Sequence, residues 1–320
     1  MRTTNTQPVI AAVDGSEDSL RALDWALDAA RRRAAPLRVV HVRQYAPWGR
    51  PEAPAAGPPE PDDDRVLDEV RTRLRGLATA QPVEYVTLQG APAAVLPALG
   101  AEAQVLVLGS RGRGGFASLL LGSNGMAAAR DAACPVVVVP RPGRGAGTTP
   151  AAPAAGDQGE PPAGPGSRVV VGVDVDHPDD VTLAFAFTEA DLRGALLQVI
   201  AAYRWPAQPL MAPGELVPPV IDQDAVENET RALAEGLLTP HRARHPDVRA
   251  ETRVLPADAA GSLVAASGGA GLVVVGRHRR RLFAPARMMG SVTHAVLLHA
   301  ACPIAVVPPS SQEDAPPPEE

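Results

Sequence analysis

Glycines and hydroxyl residues cluster in the chain at a spacing that could hold a phosphate group. Residues 109–112 read GSRG, nine residues follow, and residues 122–124 read GSN. Glycine lets the backbone approach a ligand closely, and the free N–H groups in a helix's first turn carry partial positive charge. Such glycines also occur in turns for geometric reasons alone, so the prediction depends on the spacing between the two glycine segments. We predict an anion site in which Ser123 caps the helix and donates to phosphate.

A carboxylate is predicted near this anion site. Asp14 ends an apolar run, and Gly15 and Ser16 form the turn into an amphipathic segment. Parallel sheets bind ligands at the carboxyl ends of their strands, near the point where the strand order reverses. Asp14 can there accept hydrogen bonds from ribose hydroxyls or help to hold a metal ion carried by phosphates. The alternative is an aspartate that only caps its own turn.

Short apolar runs and helical segments alternate through the first 141 residues, and these elements must position the two groups. The Val-rich runs are residues 9–13, 37–42, 83–88, 105–108 and 136–139. Residues 19–33 carry apolar side chains at spacings of three and four, with Ser16 or Ser19 as the N-cap, and residues 62–77 carry a similar stripe. This alternation predicts a doubly wound α/β domain with a five-stranded parallel sheet.

The whole pattern occurs twice in the chain. The segment AACPVVVVP at residues 132–140 recurs as AACPIAVVP at residues 300–308, and the segments that begin at Ile10 and Val170 align without a gap. A stretch rich in Pro, Gly and Ala lies between the copies and could bury little apolar area. We predict two α/β domains in tandem, at residues 1–141 and 167–308, with a linker at 142–166 and a disordered tail at 309–320.

Charge and composition exclude several classes of partner. The net charge of −6 provides no basic field that would hold nucleic acid or an anionic membrane, so neither is expected as a partner. The first residues lack the features of a signal peptide, and no run of about 18 apolar residues follows. A cytoplasmic protein is therefore expected.

No catalytic or metal-binding set can be placed in the sequence. The chain contains no lysine, which excludes a Walker-type phosphate lysine, and no Ser/His/Asp or Cys/His arrangement is evident. His294 and His299 are five residues apart, which does not place both on one helix face as metal ligands. We predict no catalytic residues and no metal ligands.

The motifs of the first copy resemble those of the universal stress protein family, in the ATP-binding branch with the pattern G-2x-G-9x-G-[S/T]. Every fixed position of this pattern is present, and the likeness continues through VDGSEDS, QGAPAAVLPAL, VLVLGSRGRGG and DAACPVVVVP. The resemblance implies Rossmann-like domains of the adenine nucleotide alpha hydrolase type and ATP, with or without Mg²⁺, as the ligand. The contacts it implies come from Ala12, Val13, Asp14, His41, Val42, Gly109, Arg111, Gly112, Gly122, Ser123 and Asn124.

Both copies depart from the family pattern. Asn124 and Gly125 follow Ser123 where the family commonly has Val and then a hydroxyl residue, so one phosphate contact is either weakened or supplied by the Asn side chain. In the second copy Val175 replaces Gly15, Arg279 replaces Gly112, and the loop after the fourth strand is one residue longer. A second candidate site nevertheless remains, with Asp174, Gly276, Gly290, Ser291, Val292 and Thr293. The basic run 277–281 is either a solvated loop or a source of guanidinium contacts to an anion there.

These observations favour an ATP-binding module of the stress response that signals and does not catalyse. Two alternatives stay open: an enzyme that hydrolyses ATP slowly through Asp14 and bound Mg²⁺, and a structural stress protein with no ligand. The family resemblance also implies an internal pseudo-dimer through the fifth strands, and a homodimer of the chain is a further alternative. In that pairing Cys134 and Cys302 would lie at opposite ends of the strands, so no disulfide is expected.

Overall fold

Two compact units make up the computed structural model of this chain. The described residues are 7–44, 64–76, 81–112, 121–143, 168–203, 222–256, 258–277 and 289–310. The first unit comprises Met1–Gly143, Arg280–Met289 and Pro303–Pro308, and the second comprises the rest of the chain. The predicted linker from residue 144 onward, the predicted tail beyond residue 310, and Arg279 with most of the basic run lie outside the described residues.

The described part of the first unit alternates strands and helices as the sequence predicts. Its elements are β1 (Val9–Val13), α1 (Glu17–Arg33), β2 (Leu37–Arg43), α2 (Arg65–Arg75), β3 (Val83–Gln89), α3 (Pro92–Ala98), a 3-10 turn (Leu99–Glu102), β4 (Val105–Gly109), α4 (Ser123–Asp131) and β5 (Val136–Val139). Three of the five strands end one residue later than predicted. All five apolar runs therefore form strands.

The second unit repeats this order. Its elements are β6 (Arg168–Val173), α5 (Asp180–Arg193), β7 (Leu196–Ala202), α6 (Gln223–Arg244), β8 (Ala250–Leu255), α7 (Ala259–Ser267), β9 (Leu272–Gly276) and α8 (Ser291–His299). The last strand of the described residues, β10 (Ile304–Val307), follows α8 in sequence but belongs to the first unit.

The strand order of each unit reverses beside its first strand. The first unit has the order β3-β2-β1-β4-β5 with parallel neighbours, and the second has β9-β6-β7-β8, also parallel. In the first unit β10 adds antiparallel to β5, with Ile304 opposite Val138. The predicted doubly wound α/β fold is confirmed, and its ligand crevice is expected between β1 and β4.

Aliphatic side chains fill the core, in keeping with parallel strands that helices cover on both faces. Ile10, Leu106 and Val137 are completely buried. Both cysteines are buried free thiols, and burial raises the pKa of the Cys302 thiol to about 12. A thiol with such a pKa stays protonated at neutral pH and reacts slowly.

The helix ends differ in detail from the sequence prediction. Of the two candidate N-caps of α1, Ser16 is the one used: its side chain accepts a hydrogen bond from Ser19 N, so α1 begins at Glu17. The second helix begins later than predicted, because the Asp64 side chain accepts from the amides of Val66 and Leu67 and starts α2 at Arg65. Side-chain caps, which periodicity does not reveal, set both boundaries.

The C-caps of α1 and α5 occupy equivalent positions and predict a reciprocal pair of stability changes. Ala34 has φ 50° and Gly194 has φ 57°, and the left-handed region costs a residue with a Cβ about 1 kcal/mol. We expect Ala34→Gly to raise the free energy of unfolding by about 0.5–1 kcal/mol and Gly194→Ala to lower it by a similar amount. Urea denaturation measures both, and changes of the same sign would contradict this account.

Candidate functional site

Asp14 stands at the carboxyl end of β1, held by the turn that follows it. Its Oδ1 accepts hydrogen bonds from Ser16 N at 3.0 Å and from Ser16 Oγ at 2.6 Å. Gly15 permits this tight turn, because its φ of 77° is one that other residues rarely adopt. Ser19 Oγ accepts from Asp14 N at 3.3 Å and fixes the backbone as well. The carboxylate is thus held in one orientation at the sheet edge.

The loop after β4 packs directly against this turn. A Cβ at Gly112 would lie 2.4 Å from Asp14 Oδ2, so only glycine leaves the carboxylate in its place. Ser16 Oγ lies 3.4 Å from Arg111 O, and Arg111 is itself half-buried. The structure therefore brings together Asp14 and the two residues that end the first half of the glycine motif.

The first turn of α4 has no side-chain cap. Gly122 is the N-cap residue and Ser123 is the first helical residue, so the prediction that Ser123 caps the helix is wrong. A capping side chain must come from the residue with extended backbone that precedes the helix, and here that residue is a glycine. Gly122 N donates to Ser110 O at 2.8 Å, which closes the loop. Ser123 is exposed and Asn124 is half-buried at this helix end.

The ends of β1 and β2 lie beside Asp14. Val13 pairs with His41 across the two strands, and Ala12 and Val42 are their neighbours in sequence. Val13 is buried, whereas Ala12, His41 and Val42 are half-buried. These four residues, which the family resemblance singles out, therefore share the sheet edge with Asp14.

Asp18 is a buried carboxylate that the sequence analysis missed. It is completely buried, and its oxygens accept from Ser110 Oγ at 3.0 Å and from Arg141 Nε at 2.7 Å, while Arg21 forms a further ion pair. A buried carboxylate persists only when it is paired in this way. The bonds join α1, the loop after β4 and the residue beyond β5. An acid in a helix's first turn is common for its dipole alone, so the sequence gives no sign of this role.

His41 also has a partner that the sequence analysis did not identify. Its Nδ1 lies 2.8 Å from Asp64 Oδ2, and Thr87 Oγ1 donates to the same oxygen at 2.8 Å. Burial raises the pKa of the Asp64 carboxyl, but the bonds from His41, Thr87 and Leu67 N outweigh it, so the pKa lies below the ordinary 3.8. The side chain of His41 thus fastens the start of α2 to β2 and β3.

The aspartate of the second repeat caps its turn as Asp14 does, but it is more exposed. Asp174 is exposed, and its Oδ1 accepts from the amides of Asp176 and His177, so it caps its own turn. Val175 stands where Gly15 stands in the first repeat, and it packs against a buried cluster of Ala201, Tyr203, Ala234 and Val254. The turn cannot follow that of the first repeat, since Val does not adopt the conformation of Gly15.

The remaining residues of the second candidate site lie around the end of β9. Thr293 is buried, and its hydroxyl donates to Gly276 O at 2.8 Å. Gly290 is the N-cap of α8 and forms no side-chain cap, while Ser291 is exposed and Val292 half-buried in the first helical turn. The structure gathers Gly276 and the start of α8, but it uses the Thr293 hydroxyl internally.

Two further features concern ligands and membranes. Within the described ranges, no cluster of three or more His, Cys, Asp or Glu residues is arranged to hold a metal ion. None of the described helices has both the length and the apolar character of a membrane span.

A doubly wound parallel sheet, repeated in tandem and lined with glycine at its crevice, defines a class of Rossmann-like α/β proteins. The model of the universal stress protein family matches residues 5–140 and 167–308, and the chain belongs to this family. The family resemblance seen in the sequence is confirmed.

A relative and a solved structure each match this chain over more than nine-tenths of its length. A universal stress protein of Mycobacterium tuberculosis strain H37Rv is 32% identical over 305 residues, covering 93% of this chain and 96% of its own. A crystal structure of a universal stress protein from Pseudomonas aeruginosa UCBPP-PA14 has a TM-score of 0.61 and 15% identity, covering 96% and 94% of the two chains. A shorter neighbour, a universal stress protein in complex with cAMP, covers 41% of this chain and 94% of its own, with 30% identity and a TM-score of 0.32.

The contact between His41 and Asp64 predicts a pH-dependent contribution to stability. Because the folded pKa of Asp64 lies below 3.8, its carboxylate stabilises the fold above that pH, and the contribution is lost as pH falls through the folded pKa. We expect Asp64→Asn to lower the free energy of unfolding by about 1 kcal/mol at neutral pH and by progressively less in acid.

Denaturant titrations across this pH range measure the difference between wild type and Asp64→Asn. The matched control is Asp258→Asn at the exposed N-cap of α7. Among the described residues, the Asp258 side chain accepts two hydrogen bonds, from the backbone amides of Ala260 and Gly261. This substitution should cost only a few tenths of a kcal/mol, because Asn caps helices as well as Asp does. If the difference in free energy of unfolding between wild type and Asp64→Asn does not change with pH, the role assigned to the carboxylate is wrong.

Proposed function

We propose that the first repeat binds ATP in the crevice between β1 and β4 and that the chain works as a nucleotide-dependent signalling module of the stress response. The observation that carries the proposal is the uncapped first turn of α4, which faces a loop without side chains at Gly112 and Gly122. Amides of an uncapped helix start favour a phosphate group through hydrogen bonds and the helix dipole.

Gly122 offers a test of whether the residues fit a phosphate chain. Among the described residues, a Cβ built there meets no atom closer than 3.6 Å, and the φ of −76° suits any residue. The fold itself therefore does not require glycine at this position. Close approach of a ligand to the backbone would require it, and this supports the fit.

Asp14 supplies the polar group for the sugar or for a metal ion. Its Oδ1 is engaged by Ser16, and its Oδ2 lies against Gly112, next to the proposed phosphate position. A carboxylate held in this way can accept a ribose hydroxyl without reorganising. Mg²⁺ that arrives with ATP would reduce the negative charge of the phosphates near Asp14. Ala12, Val13, His41 and Val42 would border the adenosine.

The two repeats are proposed to differ in ligand binding. In the second repeat Asp174 is exposed, Val175 and Arg279 stand where the first repeat has Gly15 and Gly112, and the Thr293 hydroxyl donates to Gly276 O. We propose that nucleotide binding belongs mainly to the first repeat, with the second as scaffold.

The tandem is also proposed to form an internal pseudo-dimer, with domains at residues 1–141 and 167–308 and a cytoplasmic location. The antiparallel pairing of β5 with β10 supports this arrangement, because both are the fifth strands of their repeats. A homodimer of the whole chain remains a separate alternative that the size of the purified protein would reveal.

The proposal predicts that Gly122→Ala weakens ATP binding and leaves the fold intact. The added methyl has room in the protein but would occupy the space of a phosphate that contacts the α4 amides, so we expect the Kd for ATP to rise about tenfold or more. Isothermal titration calorimetry measures the Kd, and thermal unfolding without ATP checks the fold.

The matched control is Gly76→Ala, since a Cβ at Gly76 also meets no described atom within 4 Å and the residue lies at the far end of α2. It should leave the Kd unchanged. Gly112→Arg, which copies the second repeat, should abolish binding because its Cβ displaces Asp14. Equal ATP affinity in wild type, Gly122→Ala and Gly112→Arg would refute the site, and no ATP binding in wild type would favour the structural alternative.

The signalling proposal predicts that ATP stays intact when bound. The sequence contains no lysine and no evident Ser/His/Asp or Cys/His arrangement, so we expect product release at a trace rate only. Incubation with ATP and Mg²⁺, followed by chromatography of the nucleotides, measures turnover. Sustained release of ADP or AMP that disappears in Asp14→Asn would establish the slow enzyme instead.

A further inference from the structure

Arg141 occupies a position from which it could contact phosphate. It follows β5 by two residues, and Val139, the end of β5, pairs with Gly109 at the end of β4. Arg141 therefore lies at the same carboxyl edge of the sheet as the glycine loop. Its side chain is 49% exposed, so solvent reaches the guanidinium.

The guanidinium of Arg141 is oriented by a buried anchor. Its Nε donates to Asp18 Oδ1 at 2.7 Å, and within the described residues the hydrogen bonds of its side chain go to Asp18 alone. Asp18 also accepts from Ser110 Oγ at 3.0 Å. Arg141 and Ser110, which begins the loop after β4, are therefore bonded to the same carboxylate. Arginine held through Nε still presents its two terminal nitrogens as a fork that matches a phosphate group.

The backbone of Ser110 is fixed on both sides. Its N–H donates to Val139 O at 3.0 Å, and its carbonyl accepts from Gly122 N at 2.8 Å. Ser110 thus links the end of β5, the start of α4 and, through Asp18, Arg141. A phosphate bound at the start of α4 would lie next to this link.

The three residues of this link are present together only in the first repeat. The aligned positions in the second repeat hold Pro178, Arg277 and Pro309, none of which can supply the same bonds. The repeat that has lost the glycine loop has therefore also lost the anchor, its serine and its arginine. The fold, which both repeats retain, therefore does not depend on this link.

We propose that Arg141 is a specificity-determining residue that makes the first site prefer nucleoside di- and triphosphates over ligands without a phosphate chain. The proposal rests on the proposed ATP site. Asp18 acts as a positioning residue, because it holds Arg141 and Ser110 but does not itself touch the ligand. Arg141 also compensates for the missing lysine, since it provides the charge that a phosphate chain needs.

Calorimetric titration of the full chain with ATP, ADP and adenosine tests the proposal. In wild type we expect ATP and ADP to bind more tightly than adenosine. Arg141→Gln should raise the Kd of ATP and ADP by about tenfold and leave the Kd of adenosine unchanged. Unchanged adenosine binding shows that the variant is folded, so loss of a structural contact cannot imitate this result.

The matched control is Arg73→Gln, which removes an equally exposed arginine that pairs with Asp24 on α1. It should change none of the three Kd values. The inference would be overturned if Arg141→Gln weakened the binding of all three ligands equally or left ATP binding unchanged. It would also be overturned if Arg73→Gln had the same effect as Arg141→Gln. Absence of nucleotide binding in wild type would overturn the proposed function as well, so the two failures are distinguishable.

Discussion

The close contact between the start of α1 and the end of β4 is the constraint on which the crevice depends. At Gly109 any side chain would lie 2.6 Å from the backbone of Asp18, so the helix and the strand meet with no side chain between them. This contact brings the loops after β1 and β4 together and puts Asp14 against Gly112. In the second repeat Gly276 has the equivalent place, but there the side chains of Asp179 and Thr182 approach it.

The sequence predicted the strands well and the helix ends less well, for physical reasons. Apolar runs report burial, so the five strands of the first repeat were located to within one residue. The sequence Gly122-Ser123 at the start of α4 does not reveal which of the two residues has the extended backbone of an N-cap. Ser123 was therefore misassigned to that role. Asp14 and the glycine motif could be named because their spacing is local. Asp18 and Asp64 could not, since their partners Ser110 and His41 are distant in the chain.

The two repeats show that a polar network and its apolar replacement are alternatives for one place in the fold. His41 and Thr87 pair across β2 and β3 in the first repeat, and Ala201 and Val254 pair across β7 and β8 in the second. An incomplete buried network would leave an uncompensated carboxylate, so its members are either all present or all absent. The partly buried Val175, which packs against the same apolar cluster, follows the same rule. Divergence between the copies has therefore proceeded by whole groups of contacts.

The pairing of β10 with β5 has a consequence for how this chain is made. During synthesis the edge of β5 emerges from the ribosome long before β10, and until β10 arrives that edge offers unpaired N–H and C=O groups to other nascent chains. The strand is a run of four valines, a composition prone to intermolecular pairing. Protection of the first repeat from aggregation thus depends on synthesis of the second repeat as far as β10.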